Sequence, residues 1–374
     1  MTSPDVVTEF RSNVRRMVAK EIAPYAARVD DESAFPVEAQ RGFRSLGLSG
    51  LPFPEALGGG DGDLLLQCIA VEEVSRVCGS SGNVLLTPWV ALAPLVQFGS
   101  DQLKQRIVPE VASGEFGASF CLTEPSGGSD VMGITTAATR VDGGWRLKGH
   151  KRFISCAGWS KWYAVLAKTG EGKHGVFMVC SQDKGVSIGR HERKMGIRGS
   201  PTADVIFEDV FVPDASVVGD PTKGYQYMMK TLTGSRPLIG AHALGIAQGA
   251  FDEAVRYTAD RTQFGSKVSR FQMVRGMVAD MKTRIESSRA LLNHAISLAK
   301  QDDGEARAIA AMAKMSCTDT AMSVTTDAVQ LHGGYGYLKD FPVERMMRDA
   351  KITQIWEGTN QIQRLLVAKY VYGD

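Results

Sequence analysis

The chain has 374 residues, 44% of them hydrophobic, which is enough to bury a large core and, by length, to build two or three domains. Its 43 Lys and Arg against 41 Asp and Glu leave a net charge of +2, so no global field recruits nucleic acid or an anionic membrane surface, and an anionic ligand must be held locally. The six cysteines form no CxxC pair and meet no suitably spaced His. No apolar run approaches the roughly 20 residues that cross a bilayer, and "MTSPDVVTEFRSNVRRM" lacks a signal core, so the expectation is a reduced, cytoplasmic chain with no bound metal and no membrane partner.

From Val6 to about Gly114 the pattern is helical, with apolar residues at spacings of three and four, as in "DLLLQCIAVEEVSRV". The cluster "LGGGDGD" reads as a turn, because a GxGxxG frame from Gly58 would end on Asp63 and no strand precedes it. Between Glu115 and Gly219 short β-branched and aromatic runs alternate with turn residues. "ITTAATRVDGGWRLKGHKRFIS" predicts a hairpin joined at Asp142, Gly143 and Gly144, and "WYAVLAKTGEGKHGVFMVC" repeats the device. With "ADVIFEDVFVP" this third predicts a small antiparallel sheet domain or barrel.

After Lys223 the chain is helical again. Val274, Met277, Val278, Met281 and Ile285 share one helical face, as a bundle core requires. "LHGGYGY" and "FPVERMM" read as breaks between helices. The order is helical, β, helical, with domains at 1–114, 115–221 and 222–374, and no βαβ alternation supports a Rossmann domain.

Five stretches combine glycines with polar groups in ways a core does not need. In "FCLTEPSGGSD" a strand ends and turns through Gly127, Gly128 and Ser129, where small residues let backbone N–H groups approach a ligand and Thr123 adds a hydroxyl. In "KRFISCAG" Phe153 and Ser155 fall on one side of a strand, a flat ring beside a donor that could cover a planar heterocycle. "DRTQFG" places Arg261 and Gln263 at a helix end, within reach of a phosphate. "QLHGGYGY" allows close backbone approach, and "QIWEGTNQIQRLL" sets a lone acid, Glu357, between an aromatic and a glycine. Taken singly, each stretch is equally a turn, a strand-face aromatic, a helix cap or a solvated loop acid.

Taken together, in this order and across essentially the whole chain, they resemble the acyl-CoA dehydrogenase family. The resemblance implies an α+β multidomain fold: an N-terminal helical domain, a central antiparallel β-barrel-like domain and a C-terminal four-helix bundle. It implies that Phe120, Leu122, Thr123, Gly128 and Ser129 hold the isoalloxazine edge and pyrophosphate of FAD, with Ser129 also near the acyl-CoA. Phe153, Ile154 and Ser155 would lie beside the flavin. Arg261, Gln263, Phe264 and Gln272, with Gln330, Leu331, Gly333 and Gly334, would meet FAD across a subunit interface, and Thr359 and Gln361 would complete the site. A homotetramer, a dimer of dimers, follows from that sharing.

Glu357 resembles the family's base for the α-proton of a saturated acyl-CoA, with the β-hydride passing to flavin N5, a trans-2-enoyl-CoA as product and an electron-transfer flavoprotein as acceptor. Gly358 would let the chain pass the thioester. The sequence departs from the family's pattern in carrying Phe153 for Trp, Ser155 for Thr and Trp356 for Tyr. Thr233, with Arg236 in "TGSR", stands where many relatives place an acid against the thioester carrier, and Ser235 stands where some branches of the family carry their base, so no base is assigned there. Competing expectations are a same-fold oxidase or monooxygenase, an acyl-carrier-protein dehydrogenase, and a non-catalytic subunit of a heteromeric complex. The acyl group stays open.

Overall fold

The structure, a computed structural model, describes residues 3–301 and 303–373. Several helices begin where the sequence supplies a cap. Ser3, Asp63, Ser100, Asp303 and Thr359 each accept a hydrogen bond from the backbone N–H three residues on, which satisfies an otherwise orphaned donor. The first third folds as α1 (Pro4–Glu21), α2 (Ala26–Asp31), α3 (Val37–Ser45), α4 (Leu64–Ser75), α5 (Gly79–Phe98) and α6 (Asp101–Ala112). The "LGGGDGD" stretch is the turn that leads into α4 through the Asp63 cap.

The middle third is one sheet of β1 (Gly117–Cys121), β2 (Ala137–Val141), β3 (Gly144–Ser155), β4 (Ser160–Gly170), β5 (Lys173–Cys180), β6 (Val186–Ile188), β7 (Thr202–Pro213) and β8 (Val217–Val218). The strands run in the order β6-β7-β3-β2-β4-β5-β8, with β1 on β4. Both expected hairpins form. Val141 pairs with Gly144 across Asp142-Gly143, where Gly143 has φ 68°, and Gly170 pairs with Lys173 across Glu171-Gly172. Most pairings are antiparallel, but β1 and the start of β2 run parallel to β4. Trp145, Leu147, Tyr163, Phe177, Phe207 and Val210 fill the inner face.

The last third holds α7 (Gly224–Asp260), a small hairpin of β9 (Thr262–Gln263) and β10 (Ser266–Lys267), then α8 (Gln272–Leu298), α9 (Gly304–His332), α10 (Val343–Thr353) and α11 (Asn360–Tyr372). On α8, Met281 and Ile285 are fully buried, and Val274, Met277 and Val278 pack against the same core. "FPVERMM" is a break only at Phe341 and Pro342. Pro342 caps α10, whose helix takes up Val343 onward, because a proline at a helix entrance has no N–H to lose there.

One continuous core joins the N-terminal helices to the bundle. At one close crossing, where the end of α4 meets α7, a Cβ at Gly249 would stand 2.0 Å from the Arg76 carbonyl oxygen, so only glycine permits the approach. That contact, and the Asp349 carboxylate of α10 accepting the Ile197 N–H from the sheet domain at 2.5 Å, fix the bundle against both other domains.

Candidate active site

The lone acid of the sequence occupies a turn between α10 and α11. After α10 the chain passes Trp356, then takes two successive left-handed residues, Glu357 at φ 54° and Gly358 at φ 86°. A non-glycine residue at positive φ is uncommon, and such strain concentrates at sites where the surrounding structure imposes it. Several groups impose it here. Gln363 Nε2 of α11 donates to the carbonyls of Glu357 (3.3 Å) and Gly358 (2.9 Å), and Thr359 caps α11 immediately beyond.

The Glu357 carboxylate is partly buried and meets α7. Ser235 Oγ stands 3.0 Å from Glu357 Oε2 and 3.1 Å from the Leu232 carbonyl oxygen. One hydroxyl carries one hydrogen, so Ser235 donates to the carboxylate or to the carbonyl. When Glu357 is protonated its acid can donate to Ser235 while Ser235 donates to Leu232, so both protonation states keep a partner. Burial pushes the Glu357 carboxyl above its ordinary range, opposed by the Ser235 hydrogen bond and the nearby charges of Lys314 and Arg236.

Two cations flank the acid. Lys314 of α9 is fully buried, and Arg236 of α7 is nearly so. Burial pushes them down to about 8 and about 10 respectively, although the charge on Glu357 holds both up. The Arg236 Nε has no partner, and its Nη1 reaches only 3.5 Å from Thr233 Oγ1. Pro237, inside α7, cannot donate to the Thr233 carbonyl, and a Cβ at Gly234 would meet open space. The helix therefore presents free polar groups and room beside Glu357. Trp356 packs edge-on to His242, 5.5 Å between centroids, and its indole N–H also has no partner.

The first two glycine and strand stretches come together in the sheet domain. Arg152 N–H donates to the Thr123 carbonyl at 2.8 Å, and Ser119 Oγ donates to the Ser155 carbonyl at 2.6 Å. Beneath them lies a buried ion pair that sequence reasoning missed: Lys151 Nζ to Glu124 Oε1, 2.8 Å, with both side chains fully buried. Lys151 also donates to the Leu122 carbonyl, and Glu124 accepts from Thr135 N–H, Thr135 Oγ1 and Thr136 N–H, so the turn carrying Gly128 and Ser129 is fixed from below. Glu124 in "TEP" was in plain view; its partner 27 residues on was not.

A bulge between Lys151 and Ile154 resets the strand's alternation. Lys151 and Ile154 point inward, while Phe153, at φ 57°, is 56% exposed beneath the Arg152 guanidinium, 4.6 Å from its ring centre. Ser155 is half-buried on the open side. Phe120 and Thr123 are half-buried, and Gly128 and Ser129 are exposed. Leu122 and Ile154 have their side chains in the cores, so only their backbones can face a ligand.

The third and fourth stretches meet each other at the far end of the bundle. Arg261 lies over the Tyr335 ring at 5.3 Å, beside Tyr257 stacked on His332. Gln263, Gln272, Gln330, Gly333 and Gly334 are exposed, Leu331 packs into the core, and Phe264 at the β9–β10 turn is 97% exposed. Among the described residues no hydrogen bond or ring contact joins this group to residues 120–129 or 153–155. Thr359 and Gln361 belong to the Glu357 turn and the start of α11, with Gln361 exposed.

The comparisons with known proteins span all three parts. Family models described as the acyl-CoA dehydrogenase N-terminal, middle and C-terminal domains match residues 5–115, 119–210 and 222–372. The chain belongs to the acyl-CoA dehydrogenase family. It is 43% identical over 370 residues to a probable acyl-CoA dehydrogenase of Mycobacterium tuberculosis, covering 98% of this chain and 95% of that one. It is 42% identical to a short-chain-specific acyl-CoA dehydrogenase of Clostridium acetobutylicum, covering 97% of each. The solved structure of butyryl-CoA dehydrogenase from Megasphaera elsdenii superposes with a TM-score of 0.95 at 36% identity, over 100% of this chain and 99% of that one.

This acyl-CoA dehydrogenase is thus an oxidoreductase with the family's helical, β and helical domains. Among its described residues no helix is long and apolar enough to cross a membrane. Sequence reasoning passed over Lys314, Asn360 and Gln363, which shape the Glu357 turn. A trace of Lys314 was present in "AIAAMAKMSC", a single cation in a run of small and apolar residues.

Proposed function

We propose that the enzyme is an FAD-dependent acyl-CoA dehydrogenase in which Glu357 removes the α-proton of a short saturated acyl-CoA. The observation that carries this is the Glu357 carboxylate itself: held on a strained turn, partly withdrawn from water, raised in pKa, and hydrogen-bonded to Ser235 whether protonated or not. A base for a weakly acidic carbon acid needs a carboxylate with little competing solvent and a place to keep the proton it takes.

The residues present fit FAD. The loop at Gly127 has nothing within 4 Å of where a Cβ would stand, and the same holds at Gly333 and Gly334, so backbone there is open to a ligand. Thr123, Gly128, Ser129, Phe153 and Ser155 would hold the flavin and pyrophosphate. Arg261, Gln263, Phe264, Gln272 and Gln330 to Gly334 would serve the FAD of a neighbouring chain, a reading supported by the exposure of Arg261, Gln263, Phe264, Gln272, Gln330, Gly333 and Gly334. When bound, FAD supplies the acceptor for the β-hydride.

The chain's own residues do the rest. The Glu357 N–H would polarise the thioester carbonyl, Gly358 would let the chain pass the thioester, Gly234 opens on free space, and Thr233, Arg236 and Ser129 would line the path of the CoA carrier. Trp356 and the helices around it exclude water from the Cα proton as it passes to Glu357. Loss of that proton together with hydride loss at Cβ leaves a trans-2-enoyl-CoA, and the two electrons pass on to an electron-transfer flavoprotein. The short-chain assignment follows the names of the Clostridium and Megasphaera relatives. A panel of acyl-CoAs mixed anaerobically with FAD-loaded protein tests this: butyryl-CoA should bleach the flavin fastest, and a protein that takes up no FAD, or whose flavin no acyl-CoA bleaches, overturns it.

A further inference from the structure

Lys314 is an unusual buried lysine. Its ammonium has no accessible surface, yet it makes no ion pair among the described residues; it donates instead to the Gly358 carbonyl and to Asn360 Oδ1, each at 2.9 Å. Two neutral acceptors take two of its three hydrogens without cancelling its charge, and burying an unpaired cation is costly unless the site uses it. Thr318, one turn on from Lys314, and Asp319 next to it grip the same turn. Thr318 and Asp319 accept from Asn360 Nδ2 at 2.9 and 2.7 Å, and Asp319 accepts from Gln354 Nε2 at 2.7 Å. Both ends of the Trp356–Gly358 turn are thereby clamped to one helix, with Lys314 at its strained centre.

We propose that Lys314 is a positioning residue: it holds the Glu357–Gly358 turn in its left-handed shape and supplies the positive field that keeps Glu357 a carboxylate. The inference rests on Glu357 being the α-proton base. Charged groups face the pair from the helices packed against it. From α7 come Arg236, and His242 beside Trp356, which burial holds neutral near pH 7 by lowering it to about 4. From α9 comes Asp319, shared with Arg364 of α11 at 3.3 Å. Ser235, Gln354, Asn360 and Gln363 are uncharged. Of the two cations near Glu357, only Lys314 also donates to the backbone of the turn, at the Gly358 carbonyl.

The test uses the full-length FAD-loaded enzyme, with butyryl-CoA as the probe and flavin reduction followed against pH. Lys314→Met removes charge and donor, Lys314→Gln removes charge but keeps a donor, and Lys314→Arg keeps charge. The acid limb, on which the rate falls as Glu357 gains a proton, should move to higher pH in the Met and Gln variants and stay in place in the Arg variant. The plateau rate should fall about 10- to 100-fold in Lys314→Met, as misplaced bases do, with little change in KM.

A second readout is independent of turnover. The protonated-carboxyl infrared band that disappears in Glu357→Gln should titrate at higher pH in Lys314→Met. Met and Gln variants with an unshifted limb, or with wild-type rates, overturn the proposal. If neither neutral variant folds, Asn360→Ala decides: it leaves the charge but loosens the clamp, so the plateau rate should drop with the limb in place, and an unchanged rate overturns the positioning role. Wild-type flavin reduction in Glu357→Gln would overturn the base assignment instead.

Discussion

At the scale of single residues, Glu357 and the Glu124–Lys151 pair make separable predictions. Glu357→Gln keeps the size of the side chain and a partner for Ser235 but cannot take a proton. Flavin reduction by butyryl-CoA should fall by about 100- to 10,000-fold while FAD and substrate still bind, as stopped-flow absorbance will show. Because burial raises the wild-type Glu357, its rate should be lost on acidification at a pH above that of an ordinary glutamate. Glu124 behaves in the opposite sense. Burial pushes it up, but the Lys151 charge and the Thr135 and Thr136 hydrogen bonds outweigh that and hold it at about 2, against an ordinary 4.5. Its contribution to stability is therefore fully present above about pH 4.5 and is lost as pH falls toward 2. Glu124→Gln strands the Lys151 ammonium in the sheet core and should cost about 3–5 kcal/mol in denaturant unfolding at pH 7.

At the scale of elements, close approach matters more than propensity. The crossing of α4 on α7 leaves no room for a Cβ at Gly249, so Gly249→Ala should destabilise the fold by about 1–3 kcal/mol even though alanine is the better helix former. Calorimetry should show a lower Tm. The bulge in β3 shows how one added residue sets what a strand exposes. Phe153 faces outward because the alternation restarts at Ile154, a reset that a strict period of two does not foresee.

At the scale of the whole molecule, the end of the bundle that carries Arg261, Phe264 and Tyr335 would, on the proposed shared site, be completed by a second chain. Phe264 is 97% exposed, Tyr337 87% and Met273 85%, a set of large apolar side chains that a solitary soluble chain rarely displays together. Association through this end should give a homotetramer by light scattering. Phe264→Asp should yield smaller particles that hold FAD less tightly, whereas a stable wild-type monomer retaining its flavin would count against the shared site.

The sequence by itself determined the order of the domains, the hairpins at Asp142-Gly143 and Glu171-Gly172, the core stripe of α8 and the position of the lone acid, because each is written in neighbouring residues: a turn's glycine, a helical spacing, a single charge between an aromatic and a glycine. Only the tertiary structure decided what surrounds that acid. Ser235 lies 122 positions before Glu357 and meets it at 3.0 Å, and Lys314 reaches Gly358 from another helix. Neither contact has a local signal, since the free energy of a buried charge depends on which distant groups the fold brings against it.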